Sequence, residues 1–229
     1  MIEMAAADGT THFVGTPHCN DRFPFSLDRN RTLLEELRAR TGARITLLCG
    51  CDFHLSYENV QAALADPRTF ALNQGSYLLT EFDNFSIAPQ MADVFYRLRG
   101  AGLVPIITHP ERNPLLQKGD NKFLRKLAEM GCPIQVTAGS LTGRFGRMAK
   151  EVARRLFRER LVHLVASDAH DTEKRPPRLS DARALVEKEY SAELAQALFV
   201  DNPRAVIESQ PLPHFPEPAE PKKKRFWFF

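Results

Sequence analysis

The chain holds 229 residues, 43% of them hydrophobic, which suffices for one sizeable core in a single α/β domain. A formal net charge of +3 is too mild to imply a nucleic-acid partner, and the lack of a leader or long apolar span sets the reducing cytoplasm as the expected location. Cys19, Cys49, Cys51 and Cys132 show no zinc-finger spacing, and no disulfide is expected in that compartment.

Residues 1–8 read as the tail of a helix, because Met1, Ile2 and Met4 have no N-cap before them, and Gly9 ends it. A strand over 10–16 delivers His18 on the loop just past it, with His12 inside the strand as a structural residue. Between 26 and 40, Leu33, Leu34 and Leu37 repeat at helical spacing among charges and Gly42 stops the run, which predicts an amphipathic outer helix. The strand over 45–49 ends in Gly50-Cys51-Asp52, where Asp52 is either a ligand or a turn-forming aspartate. His54 reads as a plain loop histidine in preference to an extra ligand.

A helix over 57–64 precedes a strand over 77–80 that Glu81 terminates, and Asp83 is expected in solvent. Met91, Val94, Phe95 and Leu98 mark one face of a helix closed by Gly100, and 104–108 is a buried strand ending in His109-Pro110-Glu111-Arg112. There His109 is positioned as a ligand, Arg112 as an anion clamp and Glu111 as a group orienting one of them. A helix over 121–130 and a strand over 134–137 lead to a loop, Ala138-Gly139-Ser140, whose N–H groups and hydroxyl suit phosphate oxygens. Phe145, Met148, Val152 and Leu156 then give a long amphipathic helix whose stripe is core packing. The strand over 161–166 ends in Ser167-Asp168-Ala169-His170. On an extended backbone Asp168 and His170 project to one side, which serves either a shared cation or a hydrogen-bonded turn. In the loop 171–177, two prolines stiffen the backbone around Arg175 and can hold its guanidinium near an anion.

This alternation predicts parallel strands with helical crossovers, and in α/β barrels functional side chains gather at the carboxyl ends of strands. All but one of the strands read here carry a His, Asp or Glu at that end: His18, Asp52, Glu81, His109, then Asp168 with His170. Solvated turn residues would fall at both strand ends. Mixed imidazoles and carboxylates suit Mn²⁺, Fe²⁺ or Zn²⁺, and so many carboxylates favour more than one ion. With Arg112 and Arg175 to bind phosphate oxygens bidentately, the set reads as metal-assisted hydrolysis of a phosphate ester.

Thr16-Pro17-His18, Gly50-Cys51-Asp52, Leu79-Thr80-Glu81-Phe82, His109-Pro110-Glu111-Arg112, Gly139-Ser140-Leu141-x-Gly143 and Ala166-Ser167-Asp168-Ala169-His170 together resemble the PHP (polymerase and histidinol phosphatase) superfamily. Within it the chain is similar to the manganese-dependent bacterial tyrosine phosphatases that act with the tyrosine kinases of capsule and exopolysaccharide synthesis. The resemblance implies a distorted (β/α) TIM-like barrel over residues 1–209 and a cluster of two or three ions, Mn²⁺ first, with Fe²⁺, Zn²⁺ or Mg²⁺ as alternatives. It implies His18, Asp52, Glu81, His109, Asp168 and His170 as ligands and Arg112 and Arg175, with Ser140 beside them, at the phosphate. His109, Asp168, His170, Arg112 and Arg175 would form the catalytic group, with hydroxide generated on the metal as attacking species. A tyrosine-phosphorylated bacterial kinase is the expected partner.

Two departures qualify the likeness. The family opens with a strand carrying His-x-His, and this chain begins beyond it. The barrel is therefore expected to lack its first strand, leaving an edge beside residues 11–16 open to pairing with another copy. Either Met1 is an internal methionine of a longer protein, or one metal subsite is lost. The alternatives that follow are a weak or inactive relative that binds phosphotyrosine through Arg112 and Arg175, and a small-molecule phosphatase such as a histidinol phosphatase. The second departure is Asp52, where the family usually has Glu. Cysteine-nucleophile tyrosine phosphatases are excluded, because the residues six after the four cysteines are Phe25, Leu55, Tyr57 and Ala138, not arginine. The tail, 210–229, is proline-rich and ends in four cations followed by four aromatics. Those residues suit the inner face of an anionic membrane, or fold back on the domain or pack in a multimer.

Overall fold

Short apolar runs alternate with helical segments along the chain, and the named strands pair only in parallel, as helical crossovers require. The computed structural model describes residues 1–219. The strands are β1 (His12–Gly15), β2 (His18–Cys19), β3 (Thr46–Cys49), β4 (Asp52–His54), β5 (Tyr77–Glu81), β6 (Val104–Thr108), β7 (Ile134–Thr137) and β8 (Leu164–Ala166). The helices are α1 (Ile2–Ala7), α2 (Leu27–Thr41), α3 (Tyr57–Ala65), α4 (Pro67–Phe70), α5 (Met91–Gly100), α6 (Pro114–Gln117), α7 (Lys122–Glu129), α8 (Ala138–Thr142), α9 (Gly146–Arg158), α10 (Ser180–Glu189), α11 (Ala192–Gln196) and α12 (Asn202–Ile207). None of them is long and apolar enough to cross a membrane.

β1 pairs with β3, and the other six strands form a second sheet in the order β2-β4-β5-β6-β7-β8. Among the described residues these sheets do not close into a ring, so the expected TIM-like barrel is seen only as an α/β fold with two parallel sheets. Two breaks shape the arrangement. The strand expected over 10–16 ends at Gly15, ahead of Thr16-Pro17, where proline has no N–H to give the ladder. The strand expected over 45–49 ends at Cys49, ahead of Gly50-Cys51, and a Cβ on Gly50 would lie 2.3 Å from Leu72 Cδ2 and 3.3 Å from Thr16 Cγ2, so a larger residue there would make those side chains shift. Downstream of the two cuts, β2 and β4 join the larger sheet. His18 and Asp52, expected on loops, thereby open adjacent strands in direct register.

The main core lies between the sheet and the later helices, with Phe95, Ile107, Leu127, Ile134 and Leu156 fully enclosed. Each such side chain contributes about 1.5–3 kcal/mol on burial. Several expectations change here. In α2 only Leu34 packs inward, against Ala5, Ile45 and Leu47, whereas Leu33 and Leu37 are exposed. In α9 Val152 and Leu156 are buried but Met148 is exposed. The loop expected at 138–140 is the first turn of α8. Residues 161–163 are buried ahead of β8 without joining the ladder. All four cysteines are free.

The proline-rich stretch up to Ala219 is packed against the domain. Leu212 packs on the cluster of Leu72, Tyr77 and Ile106, Phe215 stacks 4.1 Å from His163, and Ala219 N donates to Glu159 O. The basic and aromatic residues 222–229, expected either at a membrane or packed on the domain or in a multimer, lie outside the described residues.

His163 is fully enclosed under this strap, and its Nδ1 accepts from Ile134 N at 3.1 Å. Burial, with a smaller push from His214, drives its pKa down to about 3 from 6.5. The folded protein therefore refuses a proton that the unfolded chain accepts. Stability is fully present above the unfolded pKa and falls as pH drops below it towards the folded value. His163→Asn keeps an acceptor for Ile134 but does not titrate. Between about pH 7.5 and about pH 5.5, urea unfolding should show the wild type losing about 1 kcal/mol more than the variant. Equal losses would rule this out.

Candidate metal centre and anion clamp

Register sets the first part of the site. His18 lies opposite Asp52 on β2 and β4, and His54 lies opposite Glu81 on β4 and β5. Asp52 and His54 are alternate residues of one extended strand, so both face the same side. His18 Nδ1 is 2.8 Å from Asp52 Oδ2, His54 Nε2 is 2.7 Å from Glu81 Oε2, and His109 Nε2 is 3.7 Å from Glu81 Oε1. Two sets of donor atoms lie within 4.8 Å of one another: His18, His54 and Glu81, and Asp52, Glu81 and His109. Glu81 belongs to both. The histidine read as a plain loop residue is therefore a strand residue in the donor cluster.

The electrostatics match a cation site. Burial alone would raise the Glu81 pKa, but the His54 contact and the fields of His109, His54 and His18 outweigh it and hold it down at about 2. His18 is raised chiefly by its contact with Asp52, against the opposing effect of burial, and His54 is raised in the same way by Glu81. Asp52 Oδ1 is buried with no hydrogen-bond partner, and His18 Nδ1 and Glu81 Oε2 have charged neighbours but no well-directed hydrogen bond. Buried polar atoms are seldom left so, and a divalent cation held by nitrogen and oxygen donors would satisfy all three.

Asp168 and His170 do not project together from an extended strand. Asp168 has φ 49, in the left-handed region, and His109 has φ 34, conformations that non-glycine residues adopt at a cost and that cluster at functional sites. The Asp168 carboxylate receives Arg112 Nη1 and Arg175 Nη2 on the same oxygen, Oδ2. His170 is exposed, with its ring 6.1 Å from that of His18. The structure thus groups His18, Asp52, Glu81 and His109, adds His54, and sets Asp168 and His170 on the adjoining rim.

The two guanidiniums share an aromatic support. Arg112 lies 4.3 Å and Arg175 5.6 Å from the Phe145 ring. Phe145, expected in a helix's core stripe, instead precedes α9 and lies beneath the arginines. Besides the two prolines, Asp171 fixes the loop that carries Arg175, because its Oδ1 accepts from Glu173 N, Lys174 N and Arg175 N at 2.6–2.9 Å. A Cβ on Gly139 would come within 2.8 Å of Phe145 Cε2. Gly139→Ala should therefore displace the ring and raise KM for a phosphate ester about fivefold with little change in kcat. An unchanged KM would mean that the ring does not support the clamp.

Ser140 is not brought to the phosphate side. It is fully buried, and its Oγ donates to Glu111 Oε1 at 2.7 Å. Glu111 in turn does not hydrogen-bond His109 or Arg112. It is enclosed, accepts from Thr137 N at 3.0 Å, and is pushed up by burial against the pull of Ser140. Together they tie the turn that carries His109 and Arg112 to α8.

Comparisons with known proteins place the chain in a family. The family model for capsular polysaccharide synthesis, CpsB/CapC, matches residues 1–208. Tyrosine-protein phosphatase YwqE of Bacillus subtilis is 33% identical over 238 residues, spanning 100% of this chain and 91% of that protein. Tyrosine-protein phosphatase CpsB of Streptococcus pneumoniae is 35% identical over 144 residues, 61% of this chain and 59% of that one. A solved structure from work on YwqE and CpsB, described as unique metal-dependent tyrosine phosphatases, matches with a TM-score of 0.85 at 30% identity over 97% of this chain and 91% of that chain.

Proposed function

The chain belongs to the CpsB/CapC family of capsular polysaccharide synthesis, and from that premise we propose that it is a metal-dependent protein-tyrosine phosphatase opposing a bacterial tyrosine kinase of capsule or exopolysaccharide synthesis. The observation that carries the reading is Glu81, whose two carboxylate oxygens face two donor groups beside a pair of arginines. In this reading His18, Asp52, His54, Glu81 and His109 hold divalent cations, manganese first, and Asp168 and His170 close the set from the rim. Bound there, such cations would supply Lewis-acid charge and make a water more acidic, so that it could serve as the nucleophile. The fold is read as a distorted barrel of the PHP type, working in the cytoplasm with residues 222–229 towards the membrane.

The protein's own groups account for recognition. Arg112 and Arg175 converge on one point, where the Asp168 carboxylate lies in the place of a phosphate group. An arriving phosphoryl group takes that point and frees Asp168 towards the donor cluster. The arginines neutralise the phosphoryl oxygens, and the Phe145 ring lies beside both guanidiniums. Tyrosinate leaves readily because its phenol has a pKa of about 10.

The test is turnover of a tyrosine-phosphorylated peptide against histidinol phosphate, with chelator and then manganese. The peptide should be hydrolysed faster, lose turnover in chelator and regain it with Mn²⁺. Preference for histidinol phosphate would favour the small-molecule alternative. Peptide binding without turnover at any metal level would favour the inactive relative.

A further inference from the structure

Beside the arginine clamp lies a small, shallow open cleft, which shares Arg175 and Phe145 with the clamp. Its lining carries Arg144, Arg175 and Arg178 against a single acidic residue, Asp181. Arg175 is engaged by Asp168. Arg144 donates only to the Lys174 carbonyl, at 3.2 Å, and Arg178 is exposed. Among the described residues neither Arg144 nor Arg178 is in a close ion pair with a carboxylate, and the field of Arg178 reaches Asp8. The floor is made of Ala138 and Gly139, which ask for no polar partner.

We infer that this cleft is a subsite for a second anionic side chain of the substrate, a carboxylate or a phosphorylated residue, lying near the phosphotyrosine. The inference rests on the phosphatase reading and deepens it. The cleft shares Arg175 and Phe145 with the clamp, and an extended peptide advances about 3.4 Å per residue, so a residue close to the phosphotyrosine can reach it. Neighbours that turn towards the cleft meet Arg144 and Arg178, which attract acidic groups. Arg144 and Arg178 are then specificity residues outside the reacting centre, and Asp181 tempers them.

The experiment compares kcat/KM of the full chain on tyrosine-phosphorylated peptides carrying Glu, phosphoserine or Gln at each neighbouring position in turn. An anionic residue at one or two adjacent positions should raise kcat/KM about fivefold over Gln, the scale of one solvent-screened ion pair. The ratio should fall towards one in the Arg144→Gln, Arg178→Gln double variant and increase in Asp181→Asn. The Glu and phosphoserine arms separate a carboxylate subsite from a phosphate subsite. A ratio equal in the wild type and the double variant, or no preference at all, overturns the subsite while leaving the phosphatase reading intact. Failure to turn over any peptide, Gln series included, overturns that reading and this one with it.

Discussion

Glu81→Gln is expected to cut metal-dependent phosphotyrosine hydrolysis by about 10³ and to leave the purified protein metal-poor. The substitution keeps the length of the side chain and one acceptor oxygen but removes the charge. Glu81 is the one residue common to both donor groups, so its loss affects two cation positions at once. What remains of the two donor groups is three imidazoles, His18, His54 and His109, and the Asp52 carboxylate, with Asp168 on the rim. The depressed pKa of Glu81 measures the same arrangement from the other direction. Three histidines favour the ionised carboxylate strongly enough to outweigh its burial. Elemental analysis and turnover on one preparation decide the matter, with circular dichroism to verify the fold. A variant with full metal content and turnover within about tenfold of wild type would mean that Asp52 and His109 suffice.

His54 illustrates what sequence reading reached and where it stopped. Asp168 and His170 were read as a pair because alternate residues of a strand share a face. The same spacing separates Asp52 from His54, yet the strand was thought to end at Cys49, so the rule was not applied. It resumes after Gly50-Cys51. Applied to both pairs, the rule holds for Asp52 and His54 and fails for Asp168 and His170, because Asp168 turns into the left-handed region. Apolar periodicity cannot announce that turn. The strands β5, β6 and β7 were legible because each is an apolar run bounded by helical segments. Beyond Pro17 and Gly50 the short strands β2 and β4 carry too few apolar residues to be read as strands, so the split into two sheets was not legible. Phe145 carried no readable sign of its role, since an aromatic next to an amphipathic stripe looks like core whether it faces helix or arginine.

Ser140, expected at phosphate oxygens, and Glu111, expected to orient His109 or Arg112, instead bond one another inside the protein, which leads to the second large effect. Glu111→Ala should destabilise the protein by about 3 kcal/mol, because it leaves the Ser140 hydroxyl and the Thr137 N–H enclosed without an acceptor and opens a void. Glu111→Gln should cost much less, since an amide oxygen can still accept from both donors. Catalysis should follow the same order for a positional reason. Pro110–Arg112 form a single turn between His109, a cluster donor, and Arg112, half of the clamp. The buried carboxylate pins that turn to β7 and α8. Loosening it should lower kcat and weaken metal retention together, whereas a purely structural defect far from the site would lower only the fraction folded. Chemical unfolding combined with turnover per folded molecule separates the two. If the alanine variant keeps wild-type turnover per folded molecule, Glu111 supports the fold without positioning His109 or Arg112. If turnover falls in Glu111→Ala and returns in Glu111→Gln, the buried acceptor keeps a cation donor and a phosphate clamp in register.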